Sequence, residues 1–338
     1  MKKIITQLTA ALALMLTSGI LEATDFKFKF QSSDPSGVKN FQIQQQWAEP
    51  VGRMTGGRVA IEILPVGSVV SHTETLNAMG MGILDGHVSM TGYFSGKNPA
   101  FGLIGNTVGA WSAPEQLITY IYYGGGYELM NELYKPYGVK FVGGGATGLE
   151  SFVSKKPLDG VADLKGLKLR APEGLVQSVF AAAGAAPVNL PGSEVFTALS
   201  KGVIDAADYT VFSTNQEAGL NDIAPNPVYP GFHSLPLLEI AMGMKQWDKL
   251  PADIQEIMTI SARDFAYNIS TELKLADVEA VKAARANPKI TIHDWSQEER
   301  KKFRAIACGQ WEVYAKQSPN AQKVYDSITH FLEQQGLL

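Results

Sequence analysis

Cysteine is almost absent from this sequence of 338 residues, which contains only Cys308. A single cysteine cannot form an internal disulfide, so no framework of bridges supports the fold or records the redox compartment. The apolar spacing around Cys308 is typical of a helix, where we expect a packed thiol.

The common hydrolase motifs are also missing. The sequence has no G-x-S-x-G elbow, no Walker A loop and no H-E-x-x-H helix. Its histidines are scattered without metal-ligand spacing, so we expect most of them to be structural or solvated: His72, His87, His233, His293 and His330. The sequence therefore offers no recognisable catalytic residues for nucleophilic or zinc-dependent hydrolysis.

No strong charge bias is present. Removal of residues 1–23 would take away Lys2, Lys3 and Glu22 and leave 27 basic against 32 acidic side chains, a net charge of −5. This balance gives no reason to expect nucleic acid or an anionic membrane as a partner.

One long apolar run occurs, at the N-terminus. Lys2 and Lys3 precede a largely apolar stretch over 4–21, a pattern that predicts a secretory signal peptide over 1–23 and a periplasmic mature protein. A membrane anchor is the alternative, but polar residues interrupt the stretch and leave a short apolar region. Leu21 is not the small residue preferred at −3, so the cleavage site stays open, and no cysteine is available to carry a lipid.

The remaining chain has an α/β pattern, and its length suits two cores. Alternating residues predict a strand over 26–30, a helix over about 40–54 and a second strand over 59–64, which together form a βαβ unit. Further strands and helices alternate up to residue 209, including one helix over about 113–134. After 234 helices dominate, and a run over 253–286 predicts a long helix that spans two lobes.

A glycine-rich segment, Gly143-Gly144-Gly145-Ala146-Thr147-Gly148, matches the dinucleotide-binding fingerprint, so a nucleotide-dependent enzyme is one alternative. The fingerprint requires a helix N-terminus after the glycines, whereas residues 149–153 have the pattern of a strand. We therefore interpret the glycines as a flexible crossing between lobes.

Arg170 stands where a predicted strand meets the start of a helix. Ligands of α/β sheets bind at this edge, and the planar guanidinium can hold a carboxylate through two parallel hydrogen bonds. A surface salt bridge is the alternative interpretation.

At this point the sequence resembles a known family, the substrate-binding proteins of tripartite ATP-independent periplasmic (TRAP) transporters. The resemblance is strongest over 163–170, Asp-Leu-Lys-Gly-Leu-Lys-Leu-Arg, followed by Ala171-Pro172, and covers essentially the whole mature chain. Three further stretches support it, around 57–67, 96–101 and 201–208.

The resemblance implies a two-lobed periplasmic-binding-protein fold that closes on one solute and catalyses nothing. Its lobes would be discontinuous, with 24–147 plus 235–275 in the first and 148–234 plus 276–338 in the second, joined by crossing strands and the long helix. The solute would be a small organic monocarboxylate, an α-keto or α-hydroxy acid, delivered to the membrane permease subunits. Two further possibilities stay open. The protein could be a sensor that serves a receptor kinase, and it could form a homodimer.

The same resemblance also implies which residues form the solute-binding site. Arg170 would hold the carboxylate, and Asp208 and Tyr209 fall where relatives place an acid or amide and an aromatic residue. Glu150 stands about where relatives have arginine or glutamine, a departure that argues against a dicarboxylate or sialic acid.

Other candidates complete the predicted pocket. Tyr93 and Phe94 are candidate walls from the first lobe, although core packing is the alternative for both, and Asn98 follows them in the motif. His233 lies where the chain returns to the first lobe.

Two acids beside a monocarboxylate would repel it unless a cation intervened. We therefore predict a bound sodium or calcium ion, held by Glu150, Asp208 and the carbonyl of Tyr209, that bridges to two ligand oxygens. Alternatively, Glu150 recognises a positive group on the solute, or it pairs with a surface lysine.

Overall fold

The computed structural model describes residues 24–338, so the predicted signal peptide lies outside the described residues. Among these residues nine strands form two sheets. The strands are β1 (Phe26–Ser32), β2 (Val59–Leu64), β3 (Gly86–Met90), β4 (Val139–Ala146), β5 (Ser151–Ser154), β6 (Lys168–Arg170), β7 (Ala186–Val188), β8 (Ala206–Thr210) and β9 (Leu237–Gly243).

Helices cover both sheets. They are α1 (Lys39–Met54), α2 (Thr75–Met81), α3 (Pro99–Gly105), α4 (Pro114–Tyr123), α5 (Gly126–Tyr134), α6 (Leu175–Ala182), α7 (Val195–Ser200), α8 (Phe212–Glu217), α9 (Leu220–Ile223), α10 (Met244–Trp247), α11 (Ala252–Ala286), α12 (Gln297–Ala315) and α13 (Pro319–Gln334). The predicted α/β class with two sheets and a long helix, α11, is therefore confirmed. No helix within residues 24–338 is long and apolar enough to cross a membrane.

The chain passes from one sheet to the other and back. The first sheet has the order β2-β1-β3-β9-β4, and the second has the order β5-β8-β6-β7. In the first sheet β1 pairs in parallel with β2 and β3, while β9 runs antiparallel between β3 and β4. Two crossing segments, 147–150 and 231–236, run side by side, and Glu150 N donates to Ser234 O at 2.9 Å.

The glycine-rich segment is not the flexible crossing that the sequence suggested. Gly143–Gly145 form the second half of β4, and no helix follows them. A β-carbon at Gly143 would lie 2.8 Å from Ala262 Cβ, and one at Gly145 would lie 2.5 Å from Ala266 Cβ. The glycines therefore let β4 pack directly against α11, and the arrangement lacks the helix N-terminus that a pyrophosphate needs.

We expect Gly145→Ala to destabilise the protein by about 1–3 kcal/mol, because the added methyl group overpacks the contact with α11. The matched control is Gly309→Ala in α12, where a β-carbon meets nothing within 4 Å and should stabilise the helix slightly. Urea unfolding followed by circular dichroism measures both changes. Equal stability of the two variants would contradict the packing role of Gly145.

Other elements also differ from the prediction. The single helix expected over 113–134 is two helices, because the chain breaks at Gly124-Gly125 and Gly125 adopts a φ of +90° that favours glycine. Strand β9 was not predicted, because its continuous apolar sequence resembles a buried helix as closely as a strand.

Helix α11 contacts β4 of the first sheet and helix α8, which in turn contacts the second sheet. Its N-terminal half packs on β4 and α1, with Ile254, Met258 and Phe265 in the core there. Near its C-terminal end, Asp277 Oδ1 accepts a hydrogen bond from Ser213 N of α8 at 2.7 Å. The last helix, α13, contacts α3 and α4, and Tyr120 OH lies 3.0 Å from Ser327 Oγ. The lobe boundaries given above stay a prediction.

A buried polar network ties β9 to β3 and to helix α5. Glu239 and His87 are both 0% exposed, and His87 Nε2 lies 2.8 Å from Glu239 Oε1. Thr91 Oγ1 donates to Glu239 Oε2 at 2.5 Å, and Tyr134 OH donates to Oε1. Because Thr91 begins a 3-10 turn, Thr91–Phe94, the network fixes the turn that carries Tyr93.

Candidate functional site

A cleft lies between the two sheets and is lined from both sides. It encloses about 1000 Å³, counted to include its open mouth. The carboxyl ends of parallel strands face it, which is where α/β sheets bind ligands. Glu150, Arg170, Asp208 and Tyr209 line the wall nearer the second sheet, and Asp34, His72, Tyr93 and Asn106 line the opposite wall.

Arg170 ends strand β6 and is held in place by two backbone carbonyls. Its Nε donates to Leu190 O at 3.0 Å, and its Nη1 donates to Asp208 O at 2.6 Å. Its guanidinium carbon lies 6.0 Å from the centroid of the Tyr209 ring. Although the residue is only 3% exposed, no acidic side chain among the described residues forms a salt bridge with it. A buried, oriented guanidinium without a carboxylate partner fits an anionic ligand.

Two carboxyl groups lie close together beside Arg170. Glu150 is 5% exposed and Asp208 is 1% exposed. His233 Nε2 lies 2.8 Å from Asp208 Oδ1, while Ser234 Oγ donates to Glu150 Oε2. Each acid is thus oriented by a residue of the crossing segment 231–236. We call Glu150 and Asp208 the acid pair.

The pKa values of the two carboxyl groups of the acid pair shift in opposite directions. Burial and the neighbouring charge of Asp208 raise the pKa of Glu150 well above its usual range. Burial also opposes ionisation of Asp208, but the hydrogen bond with His233 and the nearby charge of Arg170 outweigh it and lower the pKa of Asp208. Of the two carboxyl groups, the surroundings therefore favour a proton on Glu150 and the ionised form of Asp208.

The acid pair and His233 form a group whose ligand atoms all lie within 4.8 Å of one another. In addition, His233 Nδ1 and Asn106 Oδ1 are buried without a hydrogen-bond partner among the residues described. Carboxylate and amide oxygens are ligands of hard cations such as sodium and calcium. The chemistry of these residues therefore fits a cation.

The opposite wall carries aromatic and polar groups. The rings of Tyr93 and His72 meet edge to face, with centroids 4.7 Å apart. Burial raises the pKa of Tyr93 and of Tyr209, so both phenols stay protonated and can donate hydrogen bonds. Burial and the charge of Arg170 lower the pKa of His72, so its imidazole is neutral at pH 7.

Most of the predicted site residues meet in the cleft, but three do not line it. His233 lies behind Asp208, where it holds that carboxylate. Phe94 is a core residue, 0% exposed and stacked on His87 at 5.4 Å. Asn98 caps helix α3, where its Oδ1 accepts from Ala100 N at 3.0 Å. The wall role predicted for Phe94 and the ligand role predicted for Asn98 are thus not supported by their placement, because packing and helix capping occupy these side chains.

The sequence reasoning missed Asp34, His72 and Asn106. Asp34 follows the C-terminal end of β1, and an acid at the end of the first parallel strand was an available signal. His72 and Asn106 stand in irregular segments with no recognisable pattern. Their positions depend on how the two sides of the cleft face each other.

A comparison with family models identifies the chain. Residues 32–317 match the model of the bacterial extracellular solute-binding proteins, family 7. The chain therefore belongs to this family of TRAP periplasmic solute-binding proteins, and the resemblance noted from the sequence is confirmed. Members of the family bind solutes for transport, so the protein is a solute receptor and not an enzyme.

Individual relatives agree with this assignment. The chain is 28% identical over 311 residues to a monocarboxylate 2-oxoacid-binding periplasmic protein of Nostoc sp., covering 91% of this chain and 84% of that protein. It is 56% identical to a TRAP periplasmic solute-binding protein from Rhodobacter sphaeroides, solved in an apo open form, with a TM-score of 0.77 and coverage of 92% and 99%. A TRAP protein from Pseudoalteromonas atlantica with bound sodium and pyruvate is 28% identical, with a TM-score of 0.82 and coverage of 92% and 94%.

Proposed function

We propose that this protein is exported, binds a small 2-oxo or 2-hydroxy monocarboxylate in the cleft, and delivers it to the membrane subunits of a TRAP transporter. Arg170 binds the solute carboxylate. Residues 24–147 plus 235–275 and 148–234 plus 276–338 act as the two lobes that enclose it. The observation that carries the proposal is the buried guanidinium of Arg170, which is oriented by Leu190 O and Asp208 O and forms no salt bridge with an acidic side chain of residues 24–338.

The acid pair refines the solute class. One guanidinium balances one carboxylate, and the ionised Asp208 disfavours a second anionic group nearby. The Nostoc relative binds 2-oxo monocarboxylates, and the Pseudoalteromonas relative holds pyruvate, so both support the same class for this chain.

We further propose that sodium or calcium takes part in binding. Glu150, Asp208 and the backbone carbonyl of Tyr209 would hold the ion, and His233 would orient Asp208. Such an ion would supply positive charge that offsets the repulsion between the acid pair and the oxygens of the solute. The sodium bound with pyruvate in the Pseudoalteromonas relative supports this arrangement.

Thermal unfolding with defined ligands tests the proposal. We expect pyruvate to raise the melting temperature when sodium or calcium is present, because a ligand at about 100 times its Kd stabilises the folded state by about 2.7 kcal/mol. The shift should disappear in sodium-free buffer with a chelator and return on addition of one cation.

Three controls accompany this measurement. Propionate lacks the second oxygen and should give a smaller shift, whereas NAD should give none. Pyruvate recovered after incubation should be unchanged, as a receptor requires. Stabilisation by malonate but not by any 2-oxo acid would contradict the proposed solute class, and a full pyruvate shift without either ion would contradict the cation.

A further inference from the structure

Asp34 places a further carboxyl group in the cleft, outside the acid pair. It follows β1, and its Oδ2 accepts a hydrogen bond from Gln44 Nε2 at 2.7 Å. Among the described residues, Oδ1 has no hydrogen-bond partner, and no basic side chain forms an ion pair with Asp34. One oxygen of this carboxylate is therefore available to a ligand.

The side chain is held rigidly. Gln44 is fully buried, and its Oε1 accepts from Ser32 Oγ at 2.5 Å. The backbone of Asp34 is held on both sides, because its N–H donates to Ser32 Oγ at 2.8 Å and its carbonyl accepts from Val66 N at 3.0 Å. A carboxylate fixed in this way can select the direction of a donor.

The surroundings of Asp34 disfavour its ionised form. Burial raises the pKa of Asp34 to about 6, since the hydrogen bond from Gln44 only partly compensates for the lost hydration. A half-buried carboxylate that has no basic side-chain partner within residues 24–338 is typical of a binding site rather than of a structural pair.

Asp34 belongs to the same cavity as Arg170. Both residues line the cleft, and the charges of both act on the phenols of Tyr93 and Tyr209. The neutral imidazole of His72 lines the same wall, and its ring forms no hydrogen bond within the part of the chain that the structure describes. The cleft therefore has a cationic group for a carboxylate and, separately, a hydrogen-bond acceptor.

We propose that Asp34 is a specificity-determining residue that accepts a hydrogen bond from a hydroxyl or ammonium group on the solute, at the end away from the solute carboxylate. This inference rests on the proposed function, because it assumes that a 2-oxo acid occupies the cleft with its carboxylate at Arg170. A dicarboxylate is disfavoured at the same position, because its second carboxylate would meet Asp34.

Matched ligand pairs test the inference by calorimetry. The probes are pyruvate with 3-hydroxypyruvate, 2-oxobutyrate with 4-hydroxy-2-oxobutyrate, and 2-oxovalerate with 5-hydroxy-2-oxovalerate. We expect the protein to bind the hydroxylated member of at least one pair about 10-fold more tightly, the effect of one hydrogen bond to a charged acceptor. In Asp34→Asn this preference should disappear, while affinity for the unsubstituted acid changes by less than about 3-fold.

The control variant is Glu62→Gln, which removes one exposed negative charge from β2 and should retain the preference. Without ligand, Asp34→Asn should melt about 2 °C higher at pH 8, because the unfavourable buried charge is gone. The inference is wrong if no pair shows a preference, if the preference persists in Asp34→Asn, or if that variant melts lower. Failure of every 2-oxo acid to bind the unmodified protein would instead overturn the proposed function, and this inference with it.

Discussion

Arg170→Ala is expected to weaken 2-oxo acid binding by 30-fold or more, without unfolding the protein. Removing one partner of a buried charge pair typically costs about 2–5 kcal/mol, most of it from the carboxylate that remains unpaired. The alanine also releases Leu190 O and Asp208 O, so the position of Asp208 changes as well. Titration calorimetry with pyruvate in the presence of sodium or calcium measures the loss.

Two further variants separate ligand binding from general charge. Arg170→Lys keeps the charge but cannot form two parallel hydrogen bonds, so its affinity should also fall. Lys168→Ala removes an exposed positive charge from the same strand and should bind normally. Circular dichroism shows whether each variant is folded. Unchanged affinity in a folded Arg170→Ala variant would mean that the arginine serves only to hold the two carbonyls.

The sequence was most informative where local periodicity and position at a strand end determine the structure. The βαβ unit over 26–64 is confirmed, and the placement of Arg170 at the end of β6 follows from the same pattern. Glu150 and Asp208 also meet as the resemblance implied, although they are far apart in sequence. The roles of these residues toward a ligand stay predictions.

Long-range packing explains what the sequence could not predict. The segment Gly143–Gly145 has the composition of a loop, yet it forms a strand that pairs with β9, and its lack of side chains lets Ala262 and Ala266 of α11 pack against it. Likewise, Asp34 and His72 face Arg170 only because the two sheets meet across the cleft. No local sequence pattern predicts that these residues lie in one cleft.

Strand pairing explains why a strand, and not a helix, follows the second crossing segment, 231–236. The apolar segment Leu237–Gly243 is a strand because β3 and β4 both pair with it in the first sheet. Its one acidic residue, Glu239, is fully buried and accepts hydrogen bonds from partners on other elements. Strand β9 therefore depends on tertiary contacts for its stability, and Glu239 is the residue to test.

Glu239→Leu should destabilise the protein by about 3–5 kcal/mol, because it leaves the buried polar groups of His87, Thr91 and Tyr134 without their acceptor. Burial and the charge of Glu239 raise the pKa of Tyr134 well above its usual range, so this phenol stays a donor that needs an acceptor. Urea unfolding measures the change.

The variant series also tests the link between this network and the cleft. Glu62→Leu, at an exposed site of the same sheet, should change stability by less than about 0.5 kcal/mol. Glu239→Gln keeps one acceptor oxygen and should give an intermediate loss. Because Thr91 begins the turn that carries Tyr93, Glu239→Gln should also bind pyruvate more weakly than the unmodified protein does, at temperatures where it is fully folded. A loss below about 1 kcal/mol in Glu239→Leu would show that water or a rearranged side chain satisfies the three donors, and that β9 is held by its strand pairing alone.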